Sequence, residues 1–240
     1  MRQTQTIRRG FSATTDVRID EGLRAHMNKV YGLMSLAMVI TGLVAYVVGN
    51  NDQMLLAIYS TPLQWVVMLA PLGVVFFLSA SINRLSYATA QIVFWGFAAL
   101  MGLSISYIFS VYTGYAIAQT FLITAIAFAG LSLVGYTTKK NLSGMGSFLI
   151  MGLIGIILAA IVNIFLGSPA IAFAISTLGV LIFAGLTAYD TQRIKNTYIE
   201  MASTGQTAWL GKAALMGALS LYLDFLNLFL LLLQLFGSRE

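Results

Sequence analysis

Two aspartates lie within or beside long apolar runs near the end of the chain. Asp224 interrupts the run from Gly211 to Phe236, and Asp190 ends the run before it. An ionised carboxylate near the middle of a bilayer costs about 2.5–3.5 kcal/mol on insertion scales, so we expect Asp224 to face protein or water and not lipid. If the two acids meet, they compete for one proton, and the pair then titrates near physiological pH.

Small and polar residues around Asp224 share one face of the predicted helix. Ser220, Asp224 and Asn227 follow one another at spacings of four and three, with Gly217 before them and Gln234 after them. Residues at such spacings lie on one side of a helix. Ser220 and Asn227 are therefore candidate supporting residues for Asp224, and they would be its hydrogen-bond partners if the acid is only structural.

Two arginines are candidate ion-pair partners of these acids. Arg84 is the lone cation between the second and third apolar runs, and Arg193 follows Asp190 by one helical turn. A guanidinium binds a carboxylate through two parallel hydrogen bonds, and protonating that carboxylate weakens them, which would open a gate closed by the pair. Arg84 is thus either the latch of such a gate or a topology determinant, while Arg193 is a local structural partner of Asp190.

The composition indicates an all-α membrane protein and excludes several kinds of chemistry. Of 240 residues, 59% are hydrophobic and 9% charged, and the mean hydropathy is +0.87. There is no cysteine, and the single histidine, His26, precedes the first apolar run. A thiolate, a cysteine-bound metal and an intramembrane histidine base are therefore absent. We expect neither an enzyme nor a resident cofactor.

Seven apolar segments predict a bundle of seven transmembrane helices with the last helix central. Residues 1–29 form a polar arm, expected to be partly disordered or, from Arg18 to Lys29, an amphipathic helix at the lipid headgroups. Residues 30–240 form the membrane domain, and small residues in its sixth segment indicate close packing. The expected helices cover residues 30–48, 64–82, 88–111, 116–137, 146–166, 170–189 and 211–236.

Basic residues alternate between the loops. Six lie before the first segment and three between the sixth and seventh segments. Arg84 lies between the second and third segments, and Lys139 and Lys140 lie between the fourth and fifth, whereas the other loops between segments have none. The positive-inside rule then places the N-terminus in the cytoplasm. The net charge of +5 is explained by this topology and not by nucleic-acid binding. The side of the C-terminal tail, with Arg239 and Glu240, depends on whether the seventh segment spans fully.

The chain resembles the Bax inhibitor-1 family, also called the transmembrane Bax inhibitor motif-containing family. The resemblance is carried by FAGLTAYDTQRIKNTY (Phe183 to Tyr198) and LYLDFLNLFLLLLQLFG (Leu221 to Gly237). The seven-segment layout, the basic arm and the Asn83-Arg84 junction agree with it. The short loops suit a bacterial member in the inner membrane.

The resemblance implies a pH-sensitive calcium leak channel. Asp190 and Asp224 correspond to the family's proton-sharing aspartate pair, which latches the pore from the cytoplasmic side, and Arg84 best matches its latch arginine. Some bacterial relatives also carry an acid in the second helix, whereas this chain has none between Gln64 and Asn83. Bacterial members also resemble modulators of membrane-protein quality control and stress survival.

Three functions follow as hypotheses. In the first, the protein is a pH-gated cation leak in the lipid bilayer, and Asp190 and Asp224 bind permeant calcium weakly and transiently. In the second, it conducts nothing and docks on a membrane protease or another stress-response partner through its arm or its small-residue faces. In the third, the same acids serve a proton-coupled transporter.

Overall fold

The protein is a bundle of α-helices, described here by a computed structural model for residues 2–205 and 207–238, with side chains from residue 20 onward except that of Thr207. Seven of the helices are long and apolar enough to cross a membrane, as the sequence predicts, and no strand occurs in the described ranges. The helices are α1 (Arg2–Gly49), α2 (Asp52–Tyr59), α3 (Leu63–Ser81), α4 (Tyr87–Ile105), α5 (Ile108–Val111), α6 (Gly114–Thr137), α7 (Ser143–Leu166), α8 (Pro169–Ser203) and α9 (Leu210–Phe236).

Helix α8 is much longer than its apolar segment. The sequence predicts an end at Tyr189, but the helix continues to Ser203, so the prediction that Asp190 ends it is wrong. No proline or glycine interrupts the polar extension, and the helix ends where Gly205 adopts a positive φ of 73°, a common way to terminate a helix. Asp190 therefore lies inside a rigid helix.

Two further elements differ from the expectation at the start of the chain. Helix α1 is continuous from Arg2 to Gly49, so there is no break at the expected boundary between arm and membrane domain near residue 29. His26 is buried there, with its ring 5.0 Å from that of Tyr198. The short α2 was missed because its eight residues fall in a loop whose apolar run is too brief to stand out.

Helix α9 occupies the centre of the bundle. It packs against α1, α4, α6 and α8, and 61% of its apolar window is buried inside the protein, against 11% to 39% for the other spans. Its buried side chains include Tyr222, whose hydroxyl bonds Thr41 of α1 at 2.6 Å. The central position of the last helix is thus as expected, and its polar residues face protein.

The two ends of α9 contact opposite ends of the bundle. Lys212 near its start donates to the backbone carbonyl of Asn83, after α3, at 3.4 Å. Beyond its end, the carbonyl of Ser238 accepts from the amide of Thr113, before α6, at 3.2 Å. Helix α9 therefore crosses the whole bundle and is not re-entrant, although Arg239 and Glu240 lie outside the described residues.

Small residues bring α8 against its neighbours, as its composition predicts. A Cβ atom at Gly135 of α6 would collide with the backbone carbonyl of Ala188, and one at Gly146 of α7 would collide with the ring of Tyr189. On α8 itself, a Cβ at Gly179 would lie 2.8 Å from Leu231 of α9. These contacts fix α8 between α6, α7 and α9, next to Asp190.

Candidate functional site

A cavity of about 720 Å³ lies among α7, α8 and α9 and reaches the junction of α4 and α6. Its walls are mostly isoleucine and leucine, and a few polar side chains from α8 and α9 enter it. Both acids singled out by the sequence line it. The polar residues from these two helices that matter below are Asp190, Arg193, Ser220, Asp224, Asn227 and Gln234.

The polar face of α9 forms a track along this cavity. Ser220, Asp224, Asn227 and Gln234 all line it, so the predicted helical face is confirmed from Ser220 onward. At 1.5 Å per residue the track is about 21 Å long, roughly two-thirds of a bilayer's hydrocarbon thickness. The cavity is therefore largely apolar, with one row of polar side chains from α9 along it.

Arg193 joins the two helices at one end of the cavity. Its Nη2 atom lies 3.4 Å from Oδ1 of Asp190 on the same helix and donates to the hydroxyl of Ser220 on α9 at 3.1 Å. The Arg193 side chain is 49% exposed and that of Asp190 11%. One guanidinium thus neutralises Asp190 and holds α8 to α9.

Asp224 is more deeply buried and less well satisfied. The residue is 5% exposed, and its Oδ2 atom has no hydrogen-bond partner among the described residues. The hydrogen bonds of the two expected neighbours go elsewhere: Ser220 accepts from Arg193, and Asn227 donates to the carbonyl of Leu223 at 2.8 Å. Asp224 lies within electrostatic reach of both Asp190 and Arg193.

Arg84 is not brought to the acids. It follows α3, is exposed, and does not line the cavity. Among the side chains that the structure describes, the ion pair to Asp190 comes from Arg193 and none comes from Arg84. The latch role of Arg84 stays a prediction, and in this structure the ion pair of Asp190 is with Arg193.

The residues after Asp190 contact several elements and were missed as a group. Thr191 bonds Ser132 of α6 at 2.9 Å, and Ser132 bonds Tyr31 of α1. Lys195 donates to the carbonyl of Tyr136 at 2.7 Å. The signal was present in the sequence, since polar residues continue in helical spacing beyond the apolar run. Asp190 is therefore held in place from both sides along its helix.

Gln192 fastens the loop between α6 and α7 to the same stretch. Its amide nitrogen donates to the carbonyl of Lys140 at 2.8 Å, and its amide oxygen accepts from the backbone amide of Leu142 at 2.8 Å. The loop that carries Lys139 and Lys140 is thus attached to α8 at Gln192, two residues after Asp190. A movement of this turn of α8 would therefore displace the loop.

The fold and the cavity define a polytopic helical membrane protein with one acid on its central helix α9 and a second acid on the adjacent helix α8. The family described as "Inhibitor of apoptosis-promoting Bax1" matches residues 23–240, so the chain belongs to the Bax inhibitor-1 family, as the resemblance of its two motifs indicated.

Bacterial relatives are similar in sequence to this chain over almost their whole length. A protein of Caulobacter vibrioides is 46% identical over 94% of this chain and 93% of its own length. "Inner membrane protein YbhL" of Escherichia coli K12 is 45% identical over 91% of this chain and 94% of its own length. A protein of Borreliella burgdorferi is 43% identical over 88% of this chain and 91% of its own length. The protein is therefore a bacterial-type member of the family and an integral membrane protein.

Proposed function

We propose that the protein is a pH-sensitive cation leak that passes calcium and is gated by one proton shared between Asp190 and Asp224. One observation carries this proposal. Both acids line the same cavity, and one carboxylate oxygen of Asp224 is buried without a partner. Two carboxylates in electrostatic contact in an apolar cavity do not both ionise easily, so a proton bound between them relieves the repulsion.

The gate follows from the ion pair of Asp190. While Asp190 is ionised, Arg193 binds it and Ser220 together and holds α8 against α9. A proton shared by the pair cancels one of its two negative charges, so the guanidinium is attracted less strongly and the contact weakens. The closed state is then favoured at higher pH, and the leak increases as the pH falls.

Calcium suits the ligands of this cavity. Carboxylate and amide oxygens are hard ligands, and calcium needs six to eight of them for tight binding. Two acids with Asn227 one turn from Asp224 offer fewer, so binding is weak and transient, which conduction requires. No acid lies between Gln64 and Asn83, so the path relies on α8 and α9 alone.

The orientation rests on the basic residues. The end of the bundle where α8 ends and α9 begins carries Arg193, Lys195 and Lys212, and the positive-inside rule supports a cytoplasmic location for this end and for the N-terminus. The inner membrane is the expected location, in line with the name of the Escherichia coli relative. Protons and calcium on the cytoplasmic side then meet Arg193 before the acids.

The test is calcium flux in liposomes that contain the purified protein, measured across a series of pH values. Asp190→Asn and Asp224→Asn each abolish the rise in flux at low pH, because neither variant keeps the shared proton. Lys139→Gln, which removes a charge from the loop between α6 and α7, keeps the wild-type pH profile. An unchanged profile in both aspartate variants contradicts the proposal.

The peripheral position of α7 supports a second candidate function, a non-conducting regulator that binds a membrane protease or another stress-response partner. Only 11% of the apolar window of α7 is buried inside the protein, so most of this helix is free to meet lipid or a partner. Purified protein that shows no flux at any pH, together with partner binding that is lost when residues 1–20 are deleted, supports this function over the leak.

A further inference from the structure

A second cavity, of about 610 Å³, is a groove between α1 and α6. Among the described residues, it shares no lining residue with the central cavity. Both helices pack against α8 and α9, and the buried ring of Phe225 on α9 lines the groove between them. Leu133 of α6 also lines it and is 61% exposed. The α1–α6 groove is therefore closed on its inner side by the bundle and open on its outer side.

The α1–α6 groove is about as long as one leaflet of a membrane is thick. On α1 it is lined from Arg24 to Ser35, and on α6 from Tyr136 back to Ala125. At 1.5 Å per residue each stretch rises about 16 Å, and half of a hydrocarbon core of about 30 Å is about 15 Å. Both helices belong to the apolar spans. The groove therefore runs along one leaflet, in the direction of its acyl chains.

The polar end of the groove carries donors that have no partner within the protein. Arg24 and Asn28 lie four residues apart, on one face of α1, and both are exposed. Among the described residues, neither takes part in an ion pair or a hydrogen bond. The acids Asp20 and Glu21 precede them on α1 but do not line the groove. A guanidinium and a side-chain amide are thus free to donate to an anion at this end.

Lys195 of α8 adds a second positive charge near the same end. Its Nζ atom donates to the carbonyl of Tyr136 at 2.7 Å and lies 5.5 Å from the centroid of that ring, which belongs to a lining residue of the groove. Deeper in the groove, Tyr31 and Ser132 bond each other, and Ser132 also bonds Thr191 at 2.9 Å. These hydroxyls therefore need no partner from an occupant. The groove is positive at one end and mostly apolar along the rest.

We propose that the α1–α6 groove binds one anionic phospholipid, with the phosphate of the headgroup at Arg24 and Asn28 and one acyl chain along the groove. A guanidinium matches the geometry of a phosphate, and basic pockets between spanning helices suit anionic headgroups. The acyl chain lies against the apolar side chains beyond them, Met34, Ala125 and Phe128. This lipid site is independent of the proposed leak.

The size of the groove favours a lipid chain over a protein helix. A helix with its side chains is about 10–12 Å across, so a 16 Å length of one fills roughly 1,300–1,800 Å³. This is at least twice the volume of about 610 Å³ that the groove offers. A helix of a second copy or of another protein therefore covers the groove without filling it, whereas a single acyl chain enters it.

Native mass spectrometry of the full chain in detergent tests the headgroup. The protein is freed of lipid and titrated with phosphatidylglycerol or phosphatidylcholine that has the same acyl chains. The wild type retains one phosphatidylglycerol per chain and binds phosphatidylcholine at least fivefold more weakly. Arg24→Gln lowers the affinity for phosphatidylglycerol by about fivefold or more, the contribution expected of one cation at an anionic headgroup. Arg84→Gln, which removes an exposed cation that does not line the groove, leaves that affinity unchanged.

A pair of alanines on α6 tests the path of the acyl chain in the same assay. Ala129 lines the groove, whereas Ala127 is exposed on the same helix and does not line it. Ala129→Phe fills the groove and reduces phosphatidylglycerol binding by about fivefold or more, and Ala127→Phe leaves binding unchanged. Both residues are exposed, so neither substitution enters the core, and equal midpoints of thermal unfolding confirm that both variants are folded.

Three results overturn the lipid site. One is equal retention of the two lipids by the wild type, and another is wild-type retention of phosphatidylglycerol by both Arg24→Gln and Ala129→Phe. The third is a dimer that Ala129→Phe abolishes and Ala127→Phe does not, which assigns the groove to a second copy of the chain. None of these measurements involves calcium flux, so the lipid site and the leak are supported or refuted separately.

Discussion

Replacing Asp224 by leucine is expected to stabilise the protein while abolishing its response to pH. The Oδ2 atom of Asp224 is buried and has no partner among the described residues, and a buried polar group left without a hydrogen bond costs about 1–3 kcal/mol. Leucine removes that group, and the adjoining cavity of about 720 Å³ has room for the larger side chain. If leucine is more stable at this position, the acid lowers the stability of the protein and is present for its function.

The expected gain is measurable by thermal unfolding of the detergent-solubilised protein. A gain of about 1–3 kcal/mol raises the midpoint by roughly 2–12 °C, at about 2–4 °C per kcal/mol for a chain of this size. Fluorescence of the three tryptophans follows the transition. The measurement is made at a pH where the ion pair of Asp190 with Arg193 is intact.

Asn227→Leu is the matched control. Asn227 lies one turn away on the same face of α9 and lines the same cavity, but its amide donates to Leu223 at 2.8 Å. Losing that bond lowers stability by about 0.5–1.5 kcal/mol. If Asp224→Leu instead destabilises the protein as much as Asn227→Leu or more, Asp224 is a bonded structural residue and the reasoning fails.

Three further predictions concern the packing and the polar contacts. Gly135→Leu lowers the free energy of unfolding by about 3 kcal/mol or more, because its side chain would collide with the backbone of α8. Gly130→Ala, whose added methyl group meets open space on the same helix, raises the free energy of unfolding by up to about 1 kcal/mol. Both changes are measured by thermal unfolding. Gln192→Ala loses two hydrogen bonds of 2.8 Å, so amide exchange at Leu142 becomes faster, and unchanged exchange contradicts that role. Arg84→Gln leaves the pH profile of calcium flux unaltered, whereas loss of the pH dependence in this variant assigns the latch to Arg84.

The bundle was predictable because each segment is by itself long and apolar enough to span a bilayer. Length and hydropathy set the seven helices, and the spacing around Asp224 set the polar face of α9. The end of α8 was not predictable in the same way. Hydropathy falls after Tyr189, but backbone hydrogen bonding continues wherever no glycine or proline interrupts it, so the helix runs to Ser203.

The choice between the two arginines could not be made from the sequence. Both lie near the expected depth of the acids, and the partner of Asp190 depends on how α3 and α8 are placed relative to α9. Arg193 is carried by the same helix as Asp190 and needs no tertiary contact to reach it. Ser220 as the second partner of Arg193 depends on the packing of α8 on α9, which no local pattern specifies.

Infrared difference spectroscopy across a series of pH values tests the central claim most directly. The account predicts one carboxylic-acid band that disappears as the pH rises, and that is absent or shifted in both Asp190→Asn and Asp224→Asn, because the proton belongs to the pair. A band that persists unchanged in either variant, or no titrating band at all, contradicts proton sharing between these two residues.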